Sequence, residues 1–193
     1  MTMQAITLVD AVVPRRTAWQ RGLLILGGSL FIALAAQIVV PLPFTPVPIT
    51  GQTLAVLLVG ALLGSRLGAL TTLAYLAEGA MGLPVFAGGT FGLARLVGPT
   101  GGYLFGFVLA ALVVGWLCER GWDRRVVTAA LALIAGNGVI YLVGIPWLAV
   151  FVGGDRALAL GLWPFLAGDA LKIALAMWAL PGGWWLLGQV RGR

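Results

Sequence analysis

Asp169 and Lys172 lie three residues apart in a stretch, Trp163 to Trp178, that is otherwise apolar enough for a membrane span. Lys172 is the only lysine in the chain, and Asp169 is one of six acidic residues. On a helix this spacing places both side chains on one face, where they can meet one binding group together. A charge at mid-bilayer costs about 2.5–3.5 kcal/mol on insertion scales. Two such charges either neutralise each other as an ion pair or face a polar cavity. A cavity of that kind suits a ligand carrying both N–H donors and carbonyl acceptors.

Other polar residues stand in apolar surroundings. Asn137 and Tyr141 are four residues apart, hence on one helix face, and serve either interhelical hydrogen bonding or ligand contact. Arg95 stands on a glycine-rich segment. A guanidinium there either clamps a carboxylate with two hydrogen bonds or faces lipid headgroups. Glu78 is a ligand contact or the partner of an arginine. Gly60, Gly64 and Gly68, together with the pair Ser29 and Ala33, follow small-xxx-small spacing, a packing signal within the chain or towards a partner subunit, including a second copy of the chain.

Composition fixes what must position these groups. Of 193 residues, 61% are hydrophobic and 9% charged, whereas a soluble domain carries about 25% charged residues. The chain reads as one polytopic membrane domain, residues 22–188, behind a cytoplasmic tail, residues 1–21. The formal net charge of +6 comes from arginines at the ends of apolar runs, which favours the positive-inside rule over nucleic-acid binding. Residues 1–14 lack the charged start and cleavage site of a signal peptide.

The spans predicted are Gly22 to Val40, Thr53 to Gly64, Leu67 to Leu76, Gly101 to Leu117, Val126 to Val152, and a sixth from Pro164 that ends near Pro181 or continues, kinked, to Leu187. The second has only twelve residues, against the about 20 needed to cross hydrocarbon. It is either completed by the proline-rich segment before it or buried. Non-helical backbone at membrane depth survives only inside protein or beside a cavity. The connections 41–48 and 78–99 are too apolar for solvated loops, and the latter reads as a lid or re-entrant hairpin. With both termini cytoplasmic, six spans put Arg15, Arg16, Arg21, Arg66, Arg120, Arg124, Arg125, Arg191 and Arg193 inside, and only Arg95 and Arg156 outside. The expected fold is therefore an all-α membrane protein of six transmembrane helices, with irregular outer segments between helices 1 and 2 and helices 3 and 4.

Absences narrow the function. No G-x-x-x-x-G-K-[ST] occurs, so no P-loop binds ATP here. There is no histidine and no G-x-S-x-G elbow, which disfavours serine hydrolysis and the commonest metal ligand. Gly168-Asp169 resembles half of an intramembrane aspartyl protease motif, but no second span supplies the other aspartate. Cys118 is the lone cysteine, so an intrachain disulfide is ruled out. The expectation is no enzyme, no cofactor and no metal.

Several stretches, in order, resemble one family. They are Pro-Phe-Thr-Pro-Val-Pro-Ile-Thr-Gly-Gln-Thr (43–53), Gly-Leu-Pro-Val-Phe-Ala-Gly-Gly (82–89), Gly-Pro-Thr-Gly-Gly-Tyr (98–103), Gly-Asn (136–137) and Pro-Phe-Leu-Ala-Gly-Asp-Ala-Leu-Lys (164–172). They look like the BioY family, the biotin-binding S components of energy-coupling-factor (ECF) transporters. The resemblance covers nearly all of the chain after residue 25. It implies a six-helix protein of the prokaryotic cell membrane with an outward-facing biotin site. Its partners would be a transmembrane coupling (T) subunit and cytoplasmic ATPase (A) subunits. It implies Asp169 and Lys172 as the sixth-helix motif and Arg95 as the arginine after the glycine-rich segment. Asn137 and Gln52 would add polar contacts, Glu78 a further one, and Phe44, Phe86, Tyr141 and Trp147 an aromatic wall. Family members that share a coupling subunit tend to carry Ala-xxx-Ala on the first helix; here Ser29-xxx-Ala33 is the nearest equivalent. A self-sufficient, proton-coupled secondary transporter of a carboxylate-bearing vitamin is the alternative, with Asp169 or Glu78 carrying the proton.

Overall fold

A computed structural model of the chain describes residues 7–13 and 16–191, with side chains through Gln189. Arg15, Arg193 and residues 1–6 and 14 of the expected tail lie outside the described residues, and the Arg191 side chain is not described. The helices are α1 (Leu8–Val12), α2 (Ala18–Ala35), α3 (Gln52–Leu63), α4 (Ser65–Ala80), α5 (Leu93–Val97), α6 (Gly101–Cys118), α7 (Val126–Val152), α8 (Gly154–Gly161) and α9 (Leu166–Arg191). Residues 39–40 (β1) and 49–50 (β2) form a two-stranded antiparallel ladder, Val39 opposite Thr50. Of the described helices, α2, α6, α7 and α9 are long and apolar enough to cross a membrane.

Local chemistry sets the boundaries. Thr17 opens α2 with a capping box: its hydroxyl accepts from Gln20 N–H while the Gln20 side chain accepts from Thr17 N–H. The helix stops at Ala35, five residues before the expected Val40, because residues 39–40 turn into the ladder ahead of the four prolines. Gly64, at φ 85°, makes the turn from α3 to α4. Glu119 caps the new helix, accepting from Ser65 N–H at 2.7 Å and from its hydroxyl at 2.9 Å. The third span runs on to Ala80, past the expected Leu76, so Glu78 is a helical residue and not part of a loop. The stretch 153–163, between the fifth and sixth expected spans, is mostly the helix α8. Pro181 does not end α9, which continues to Arg191.

α6 is the axis of the bundle, packing against α3, α4 and α7. Small residues set the distance: a Cβ on Gly60 would stand 2.6 Å from the Ala111 carbonyl oxygen, and one on Gly68 would stand 2.9 Å from Gly60 Cα. These are backbone-to-backbone contacts of three helices, the close approach that small residues permit in lipid. Ser29 and Ala33 face inward. Ser29 is fully buried and donates to Glu78 Oε1 at 2.8 Å, and Ala33 joins the core, so this pair packs within the chain, α2 against α4. α1 packs against α3, with Leu8 buried in the core and close to Gly183 of α9.

The two ends of the bundle differ. At one, α9 is fastened to the α6–α7 connection: Trp184 Nε1 donates to Asp123 Oδ2 at 2.6 Å, and the Arg124 guanidinium lies 4.7 Å from the centre of the same indole. Asp123 is wholly buried, and its Oδ1 has no hydrogen-bond partner on the other described residues. Burial pushes its carboxyl above the ordinary range, with the Trp184 bond acting in the opposite direction. At the other end, the irregular segments 36–51 and 81–100 enclose a cavity.

Candidate functional site

The polar pole of that cavity is carried by the first turns of α9. Asp169, 5% exposed, uses both carboxylate oxygens: Oδ1 accepts from Lys172 Nζ at 3.2 Å and Oδ2 accepts from the Tyr141 hydroxyl. Lys172 Nζ also donates to Thr53 Oγ1 at 2.8 Å. Tyr141 is held from behind by the edge of the Tyr103 ring, 6.4 Å between centres, and the Tyr103 hydroxyl donates to the Gly161 carbonyl at 2.9 Å. Three helices, α3, α7 and α9, thus meet at one charged pair. That pair is partnered by neutral groups, as a charge withdrawn from water requires.

The space beside the pair measures about 290 Å³ and is lined by all of Gln52, Phe86, Arg95, Asn137, Tyr141, Asp169 and Lys172. The volume sits near the lower bound of the about 300–1,000 Å³ typical of small-molecule sites. Asn137 is buried in the wall, and its Oδ1 has no hydrogen-bond partner among the described residues. Arg95, on α5, is exposed at the rim and takes part in no ion pair among the described residues. The cavity therefore offers a buried amide oxygen, a buried ion pair and a free guanidinium, linked by apolar wall from Val47, Leu104, Phe107 and Ile140.

Three of the aromatic and acidic residues expected here stand elsewhere. Phe44 is 58% exposed; the Thr45 hydroxyl bonds to the Leu160 carbonyl at 2.7 Å, and the proline-rich turn leaves Phe44 outside the cavity lining. Glu78 turns to Ser29 on α2 because α4 carries it as a helical residue. Trp147 donates its indole N–H to the Gly98 carbonyl at 2.9 Å and packs on Phe105, bracing the segment ahead of α6. In their place the lining recruits Thr53, Thr90, Tyr103 and Phe107. Thr53 and Tyr103 lie in the stretches 43–53 and 98–103, so their neighbourhood was visible in the sequence; their side-chain direction depends on the tertiary packing.

Fold and cavity together define a helical membrane protein with a partly open cavity of small-molecule size that has polar groups at both ends. The BioY family profile matches residues 8–189. The chain is 44% identical over 152 residues to the probable biotin transporter BioY of Pyrococcus horikoshii, covering 77% of this chain and 88% of that one. It is 41% identical over 138 residues to the biotin transporter BioY of Thermotoga maritima, covering 71% and 80%. The fold superposes with a TM-score of 0.74, at 25% identity and over 93% of this chain and 96% of the other, on the crystal structure of the S-component for biotin from an ECF-type ABC transporter. The chain belongs to the BioY family.

Proposed function

We propose that this protein is the biotin-binding S component of an ECF-type transporter, taking biotin across a prokaryotic cell membrane. The observation that carries the reading is the cavity whose wall holds Asp169, Lys172 and the unpartnered Asn137 Oδ1, with Arg95 at its rim. Biotin has a fused bicyclic head with a ureido group, two N–H donors and one carbonyl, and a valerate tail ending in a carboxylate. Asn137 Oδ1 and Asp169 accept from the ureido N–H groups, and Lys172 donates to the ureido oxygen. Arg95 takes the carboxylate with a two-pronged bond. Phe86 and Tyr141 wall the thioether ring, and Gln52 adds a polar contact. This arrangement separates the ligand's poles: the buried pole receives the neutral ring and the exposed rim receives the anion, so the carboxylate is never fully desolvated.

In the proposed topology α2, α3, α4, α6, α7 and α9 all cross the bilayer and both termini are cytoplasmic, as the arginine distribution favours. Energy comes from separate coupling and ATPase subunits, since the sequence has no P-loop. The test is calorimetry of the purified protein with biotin, desthiobiotin and biotin amide. Biotin binds tightly, desthiobiotin retains the ureido and carboxylate contacts and binds measurably, and biotin amide binds more weakly. Equal affinity for biotin and its amide removes the carboxylate assignment, and no binding of biotin removes the proposal. Biotin accumulation by the purified protein alone in vesicles under a pH gradient would instead support proton-coupled transport.

A further inference from the structure

A hydrogen-bond chain runs from the cavity wall into the glycine-rich segment, and its direction is fixed by chemistry. The Val85 carbonyl can only accept, and the Tyr75 hydroxyl donates to it at 3.1 Å. The Tyr75 oxygen is then left to accept, and it does so from Gln52 Nε2. That turns Gln52 Oε1 towards Thr50, whose hydroxyl donates to it at 3.0 Å. Thr50 and Gln52 line the cavity, whereas Tyr75, on α4 and wholly buried, does not. The residue after Val85 is Phe86, which lines the cavity and meets the Tyr75 ring edge-on at 5.6 Å.

The segment has further hydrogen bonds to the bundle, among them Gln37 Nε2 to the Phe86 carbonyl at 3.5 Å and Leu83 N–H to the Glu78 carbonyl at 3.1 Å. Gly82, Gly88, Gly89 and Gly92 all adopt positive φ, conformations that glycine reaches without strain. Its backbone is anchored by Gly88 N–H to the Ala36 carbonyl at 3.3 Å and by Gly92 N–H to the Gly79 carbonyl at 2.8 Å.

We infer that Tyr75 is a positioning residue: through Gln52 and Val85 its hydroxyl joins the cavity wall to the segment 82–92 and so sets how long the site holds its ligand. The kinetic part rests on the biotin reading above; the structural part does not. Tyr75→Phe keeps the ring against Phe86 and removes only the hydroxyl. Biotin dissociation should then accelerate about tenfold, a change of about 1.4 kcal/mol, while association stays within about twofold. In ligand-free protein, hydrogen exchange at residues 86–92 should also quicken by about tenfold, local opening being easier.

Thr72→Val is the comparator. It deletes another buried hydroxyl of α4, the one bonded to the Gly68 carbonyl at 2.9 Å, and should leave segment exchange and biotin dissociation unchanged. The inference is overturned if Tyr75→Phe leaves exchange at 86–92 as in the parent, or if Thr72→Val reproduces its effect. Should Tyr75→Phe fail to fold, Thr50→Val acts on the far end of the chain and releases the Gln52 amide. Faster exchange at 86–92 in the ligand-free Thr50→Val protein supports the coupling, and unchanged exchange there overturns it. Failure of the parent protein to bind biotin would remove the functional reading, while the ligand-free exchange arms would still decide the role of Tyr75.

Discussion

Asp169→Asn isolates the charge at the heart of the site with almost no change in shape. The carboxylate now accepts from Lys172 Nζ on one oxygen and from the Tyr141 hydroxyl on the other. An asparagine has a single oxygen and no charge, so one of those two donors is left without its acceptor, and Lys172 is left with neutral partners only. Lys172 is 17% exposed at the side chain, so water cannot fully replace the lost partner. A hydrogen bond to a charged group contributes about 1.5–3 kcal/mol net, and truncating a desolvated charge pair at an interface costs about 2–5 kcal/mol. Taking about 2–3 kcal/mol, biotin affinity should fall roughly 30- to 150-fold. Titration calorimetry at constant pH measures this directly. A second variant separates binding from folding. In Asp169→Asn/Lys172→Gln no unpaired buried charge remains, so thermal stability should recover towards the parent value while affinity stays low. Parent-like biotin affinity in Asp169→Asn would refute the assignment, and recovery of affinity in the double variant would reduce the pair to a structural one.

Three further outcomes are expected. Arg95→Gln should weaken biotin about tenfold but biotin amide by less than about twofold in parallel calorimetry, because only biotin carries the anion the guanidinium meets. Gly79→Ala should lower the thermal unfolding midpoint and biotin affinity together, since a Cβ there occupies the place of the Phe86 ring; overpacking of this kind costs about 1–3 kcal/mol. Asp123 binds its proton more tightly in the folded protein than in the unfolded chain, because burial raises its pKa. Its contribution to stability is therefore largest below the ordinary aspartate value and declines as pH rises through the folded value. Asp123→Asn, which keeps an acceptor for Trp184, should flatten that decline in unfolding midpoints measured from about pH 4 to about pH 8.

The helices were legible wherever a long apolar run ended on charge or glycine. The run Val126 to Val152 is a helix over those same residues, despite Asn137, Tyr141 and Pro146 inside it. Asp169 and Lys172 stood out for a physical reason as well: charge is so costly in such a run that its presence implies an arrangement to hold it. Short or amphipathic elements did not stand out. α1 and α8 fall in stretches whose composition reads as tail and loop. Orientation within irregular backbone was not readable either. Phe44 and Phe86 are both phenylalanines in glycine- or proline-rich segments, yet one is 58% exposed and the other 2%. What separates them is tertiary: Phe86 has Gly79 beneath it and Tyr75 beside it, whereas Phe44 sits on a turn fastened by its neighbour Thr45. Glu78 differs from the expectation because the helix does not stop at Leu76 but runs through Gly79 to Ala80.

The brevity of α3 has a consequence for the membrane as an insulator. At 1.5 Å per residue its twelve residues make a rod about 18 Å long, against about 30 Å of hydrocarbon. In the six-span topology proposed above, the cavity begins where that rod stops, so the barrier to ions beneath it would be only about 18 Å deep. Leak-tightness then falls to the glycine and alanine contacts of α3, α4 and α6 around Gly60, Gly68 and Ala111. A bulky residue there would be felt first as dissipated membrane potential in cells that can still capture the vitamin.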